Sequence, residues 1–172
     1  MGNVVKSKNC FVKVKSDYYD NGAIGYLVRY VAGQTKKKKE ALYTGGFGVD
    51  SGNISQVVKQ MLKIKKHGRA KVESTKKKKS RQLYHWIVSF GSLDDKNVAI
   101  IMSNNIACYL FGLGFQVYYG LHDDTDKLHS HFIMNSTSFI DGKKFHVTKK
   151  EENKIKHDIQ GIIASVEEEY YC

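Results

Sequence analysis

The spacing of apolar and polar residues changes period several times along the chain, and each change marks an element. CFVKVK, 10–15, alternates with a period of two and runs into SDYYDNG, a strand followed by a loop. AIGYLVRYVA, 23–32, carries its apolar residues at helical spacing, with Asp20 or Asn21 as cap and Gly33 as stop. ALYTGGFGVDSG holds a short strand among glycines. Ser51 to His67 reads as an amphipathic helix, with Ile54, Val57, Val58, Met61, Leu62 and Ile64 on one side. LYHWIVSF, 83–90, is rich in aromatic and β-branched residues and predicts a strand. LDDKNVAIIMSNNIACYLFGLG predicts a helix, with Asp94 and Asp95 near its positive end. FQVYYGLH and LHSHFIMNST are two further strands, and the Asp-Gly of SFIDGKKFHV signals a hairpin. From Thr148 to Tyr170 the pattern is helical, with lysines first and acids last; that order opposes the helix dipole and predicts a frayed end.

The order is therefore β-α-(β)-α-β-α-β-β-α, with tight turns between the late strands. It predicts an α+β fold: an antiparallel or mixed central sheet of about five strands, covered by helices in a two-layer sandwich. The 172 residues suit one domain, 1–172. A chain of this length buries roughly 70% of its unfolded surface, so folding does not depend on a metal or a disulfide. Apolar residues make up 41%, which excludes a disordered chain. No apolar run reaches the roughly 18 residues of a membrane span, and the N-terminus lacks the apolar core of a signal peptide. MGNVVKS matches the short myristoylation pattern, at a length where chance matches are common. Cys10, Cys108 and Cys172 are scattered and odd in number, and read as reduced cytosolic thiols.

Charge narrows the partner. Lys plus Arg is 28 against 17 acidic residues, a formal +11, which predicts a polyanion, nucleic acid before an anionic membrane surface. Two runs of four lysines, Lys36, Lys37, Lys38, Lys39 and Lys76, Lys77, Lys78, Lys79, lie in predicted loops. They read either as solvated surface or as phosphate contacts.

The densest chemistry is HDDTDKLHSHFIMN, 122–135, which holds His122, Asp123, Asp124, Asp126, His129 and His131 in 14 residues. Alternate residues of a strand share a face, so His129, His131, Ile133 and Asn135 point one way, and Leu128, Ser130, Phe132 and Met134 the other. Two histidines at that spacing can chelate a metal. His122, across the DDTDK turn, returns over the same face as a third ligand, which leaves coordination positions open for chemistry. Asp124 or Asp126 is placed to orient an imidazole through its second N–H. The plainer reading, surface histidines beside a hairpin, fits the alternation less well. The chain is too short for the amidohydrolase barrel and lacks HExxH and PCxxC. Asn135 stands where a cupin needs glutamate.

This stretch resembles the third motif of the relaxases, the mobilisation nucleases of the His-hydrophobe-His superfamily (MobA/VirD-type, MOBP-like), although the residue between the histidines here is Ser130. LYHWIVSF resembles their second motif, SFIDGKKFH the segment after the histidines, and IGYLVRYVAGQTKK the first motif, a helix bearing a nucleophilic tyrosine before a basic loop. The resemblance runs in order over nearly the whole chain and implies the nuclease domain at the N-terminal part of a longer protein. It implies a metal-dependent DNA endonuclease and strand transferase of the bacterial cytoplasm. Such an enzyme nicks an origin of transfer through a 5′-phosphotyrosine and starts conjugative mobilisation of a plasmid.

Tyr30 matches the nucleophile's position, with Tyr26 one turn before it in reserve. Asp124 is the candidate proton acceptor. His122, His129 and His131 would hold Mn²⁺ or Mg²⁺, with Ser89 and Asn135 near the DNA beside the lysine runs. The implied partners are single-stranded origin DNA with a flanking hairpin, accessory relaxosome proteins and a secretion coupling protein, with the enzyme itself a monomer. A rolling-circle initiator or single-strand transposase shares the histidines but places its tyrosine differently. A non-catalytic DNA-binding protein of the same fold is the reading from another class.

Overall fold

The computed structural model describes residues 10–20, 22–36, 38–69 and 80–171. Five strands, β1 (Phe11–Lys15), β2 (Tyr43–Phe47), β3 (Leu83–Ser89), β4 (Val117–His122) and β5 (His129–Asn135), form one antiparallel sheet in the order β1-β3-β5-β4-β2. Among the described residues, four helices accompany the sheet: α1 (Ala23–Val31), α2 (Ile54–Arg69), α3 (Lys96–Gly112) and α4 (Lys149–Tyr171).

The helices cover both faces of the sheet, so the expected two layers are three. α1 and α2 pack one face through Ile24, Leu27, Val28, Val31, Val57 and Met61, meeting Leu83, Tyr118 and Ile133. α3 and α4 pack the other, where Trp86, Val88, Tyr119, Phe132 and Met134 meet Met102, Ile106, Ile159 and Ile163. The alternation of β5 thus separates two cores. Ser130, on the α3 side, is buried, and its hydroxyl meets Ser103 Oγ at 2.7 Å, so a polar residue between the two histidines has a partner.

Local signals explain most boundaries. α1 ends in a Schellman turn: Gly33 N–H donates to Tyr30 O (3.0 Å), Gln34 N–H to Arg29 O (2.8 Å), and Gly33 has φ 74°. α3 is capped by Asp95, whose carboxylate accepts from Asn97 and Val98 N–H. α4 opens on a capping box, with Thr148 N–H donating to Glu151 Oε2 (2.7 Å) and Glu151 N–H to Thr148 Oγ1 (3.2 Å).

Three expectations need correction. The N-cap of α1 is Gly22, without a side-chain cap; Asp20 acts one step earlier by accepting from Gly22 N–H, and Asn21 lies outside the described residues. The Asp141–Gly142 turn forms, but only a single bridge, Thr137 to Lys144, follows, so 138–147 is a loop rather than a strand pair. α4 stays helical to Tyr171, because Ile155, Ile159, Ile163 and Val166 are buried along it and their packing outweighs the unfavourable charge order.

Candidate active site

The face under α1 is apolar at one end of the sheet and polar at the other. Pairing sets His129 opposite His122 on one side and Ser89 on the other, and His131 opposite Gly120 and Ile87. The three histidines therefore meet on that face: ring centres are 5.8 Å apart for His122–His129, 5.3 Å for His122–His131 and 5.1 Å for His129–His131. Gly120 makes room above them. A Cβ there would lie 2.3 Å from Val31 O, so glycine lets the end of α1 settle on the sheet.

That descent delivers two groups. The Val31 carbonyl accepts from His122 Nε2 at 2.8 Å. One residue earlier, the half-buried Tyr30 sets its ring 5.4 Å from that of His131, edge to face. Tyr26 stacks on the outer side of Tyr30, ring centres 6.3 Å apart, and is 53% exposed.

The loop after α1 supplies a group that sequence alone did not single out. Of the first lysine run, Lys36 and Lys39 lie on the surface, Lys39 pairing with Asp123 at 3.1 Å, while Lys37 lies outside the described residues. Lys38 turns inward and is only 7% exposed. Its Nζ stands 2.7 Å from Asp124 Oδ2, 3.3 Å from His129 Nε2 and 5.4 Å from the centre of the Tyr30 ring. Asp124 also lies 3.3 Å from His129 Nε2 through Oδ1. Asp126 is exposed, and His129 Nδ1 faces the Lys127 carbonyl at 3.0 Å, so of the two aspartates it is Asp124 that stands against a histidine.

Burial decides the protonation of the cluster. It pushes His85 and His122 down to about 4, with nearby lysine charge adding to it, and also lowers His131. These three imidazoles are neutral at pH 7, the state that ligates metals. Burial raises Tyr30, and the charge of Asp124 adds to the rise, so its phenol carries its proton. Burial opposes ionisation of Asp124, but the hydrogen bond and charge of Lys38 hold it below the usual carboxylate range.

These shifts make stability acid-sensitive. With metal removed by chelator, the unfolded chain takes up protons at these histidines near pH 6.5, while His85 and His122 in the folded chain do so only near pH 4. Stability is therefore expected to fall as pH drops through that window, by about 1.4 kcal/mol per pH unit for each such histidine. Urea unfolding at pH 7 and pH 5 measures it, and equal stability at both would contradict neutral, buried rings.

The donors suit a divalent ion. His122 Nδ1 and His131 Nε2 are buried with no hydrogen-bond partner. Three imidazoles sharing one ion at about 2.1 Å set their ring centres about 5 Å apart, close to the spacing observed. Among the described residues no three side chains are closed into a metal-binding set as they stand. His129 Nε2 faces both Lys38 Nζ and Asp124 Oδ1, each at 3.3 Å, while its Nδ1 faces the Lys127 carbonyl.

Two expected DNA contacts sit deeper than sequence suggested. Asn135 is 0% exposed; its amide donates to Met61 O and Gln116 Oε1, and its oxygen accepts from Thr137 N–H, so it braces the fold instead of reaching DNA. Ser89 is buried beside His129. Lys76 to Lys79 lie outside the described residues.

A family model described as relaxase, MobA/VirD2-like, nuclease domain, matches residues 28–171. By sequence, no curated protein matches the chain. Among solved structures, one from work on the molecular basis of vancomycin resistance transfer in Staphylococcus aureus superposes with TM-score 0.69 at 13% identity, covering 94% of each chain. The conjugative relaxase TrwC in complex with oriT DNA, in a metal-bound structure, gives 0.55 at 11% identity over 92% of this chain and 68% of its own. A copper-bound TrwC–oriT complex gives 0.54 at 13% identity, over 94% and 69%. At these identities the structural likeness is one of fold.

Proposed function

The chain belongs to the MobA/VirD2-like relaxases, through their nuclease domain, and on that premise we propose that it nicks one DNA strand with Tyr30 as nucleophile. The observation that carries this reading is the meeting of Tyr30, on the last turn of α1, with the three histidines of β4 and β5. The metal-bound complex of TrwC with oriT DNA supports the same classes of partner here.

His122, His129 and His131 would hold Mn²⁺ or Mg²⁺, which supplies positive charge at the non-bridging oxygens of the scissile phosphate. The rest falls to the chain. The Tyr30 oxygen attacks phosphorus; the new O–P bond forms as the bond to the departing 3′ oxygen breaks. The 5′ end stays on Tyr30, and the 3′ oxygen leaves with the bonding pair and takes up a proton, in net the one the phenol gave up, to end as a hydroxyl. Because the phosphodiester bond is exchanged and not hydrolysed, the step can run backward and reseal the strand. The phenol must lose its proton, and Asp124, ionised and felt electrostatically at Tyr30, is the candidate acceptor. Lys38 is a fixed positive charge between Asp124 and Tyr30, where negative charge builds up during attack. Started at an origin of transfer, this reaction begins conjugative mobilisation. No helix among the described residues is long and apolar enough to cross a membrane.

The test is incubation with a single-stranded oligonucleotide carrying the cognate origin, followed by a denaturing gel. A protein–DNA adduct and a free 3′ end are expected; intact DNA under every metal condition would refute the proposal. Binding should also weaken with salt. Six lysine–phosphate pairs give a log–log slope of roughly −4 on single strands, and removing one such lysine flattens it by about 0.7. Lys36→Gln is expected to produce that single step in fluorescence-anisotropy titrations, because Lys36 is exposed beside the site; an unchanged slope would make it solvated surface only.

A further inference from the structure

A histidine that ligates a metal with one ring nitrogen needs a partner for the other, since that partner fixes the tautomer. Two of the three candidate ligands use backbone carbonyls. His122 Nε2–H donates to Val31 O, and His129 Nδ1–H donates to Lys127 O. His131 has neither carbonyl nor carboxylate. Its Nδ1 lies 2.8 Å from Nε2 of His85, a buried residue of β3. His85 Nδ1 in turn lies 3.1 Å from the hydroxyl of Tyr18, in the loop after β1.

The direction of this chain is constrained. If Tyr18 donated to His85 and His85 to His131, the His131 proton would sit on Nε2. That nitrogen is buried with no partner in reach, and an unpaired buried donor is costly. In the opposite direction His131 Nδ1–H donates to His85 Nε2, and His85 Nδ1–H donates to the Tyr18 oxygen. Nε2 of His131 then carries a lone pair toward the other two histidines.

We infer that His85 and Tyr18 are positioning residues that lock His131 in its Nδ1–H tautomer and so complete the three-nitrogen set. The inference rests on the proposed function for its metal, but not for the tautomer. Neither residue touches the ion or the DNA phosphate in this role; both act through His131. The second partner is thus a neutral imidazole held by a phenol, where a carboxylate or carbonyl is the usual choice.

Mn²⁺ affinity measured by titration calorimetry without DNA reads this relay directly. His85→Leu removes the acceptor and is expected to weaken Mn²⁺ binding by about 10- to 100-fold, whereas His85→Gln, which offers a carbonyl, stays within about threefold of the original. Tyr18→Phe should fall between them. His85→Leu binding as tightly as the parent, or His85→Gln binding as weakly as His85→Leu, would overturn the relay. A second measurement needs no variant and no metal: long-range ¹H–¹⁵N spectra of the chelated protein should show both His131 and His85 protonated on Nδ1. A proton on His131 Nε2 overturns the inference. If the parent protein binds no Mn²⁺ at all, the metal centre of the proposed function fails, and the spectra alone decide the tautomer lock.

Discussion

Tyr30→Phe is expected to remain folded, to bind metal and DNA, and to form no covalent adduct. Phenylalanine keeps the ring that packs edge to face on His131 and lies under Lys38, so the local packing survives. Only the hydroxyl is removed, and with it the atom proposed to bond to phosphorus. Tyr26→Phe is the control. It shares nearly the same helix face but points outward, with more than half its surface exposed, and is expected to retain adduct formation. Peptide mapping of the parent adduct provides the decisive reading. A nucleotide on Tyr26 would keep the reaction and refute the assignment of Tyr30. Cleavage with no nucleotide on any tyrosine would make water the nucleophile, and the proposed reaction would fail with it.

His129→Ala and His131→Ala are each expected to reduce nicking by about 10³-fold while DNA binding survives. Charge stabilisation by a bound ion contributes several kcal/mol, and about 4 kcal/mol corresponds to that factor. Excess chelator should reproduce the defect in the unaltered protein, and full activity in chelator would rule out a metal reaction. His122→Ala is a poorer probe, because His122 also ties down the end of α1 through Val31.

The sheet, the four helices and the three histidines were legible because each rests on local periodicity. Alternation placed His129, His131 and Asn135 on one face of β5, and it did so correctly. Alternation reports the face, not the depth, and so it missed that Asn135 lies under α2, bonded to Met61. Lys38 was illegible for another reason. In a run of four lysines every member looks alike, and only the loop conformation after the Schellman turn brings Lys38 inward. The Tyr18–His85–His131 chain joins three segments far apart in sequence, and no local pattern links them. Nor did periodicity give the layer count, since an amphipathic helix does not say which face of a sheet it covers.

Gly120 has a thermodynamic consequence. By letting α1 settle on the sheet, it makes the Val31 carbonyl the fixed point of His122 and, one residue away, anchors Tyr30. In the proposed reaction, ion binding and nucleophile placement would then both depend on the seating of one helix end. Linkage makes the effect reciprocal: whatever the ion gains in affinity from a seated helix, it returns as a higher population of the seated state. In the proposed reaction a strand of DNA joined to Tyr30 would pull on that same end, so the covalent complex and the free protein are expected to bind a metal with different strength, and the difference would measure how firmly the helix is seated.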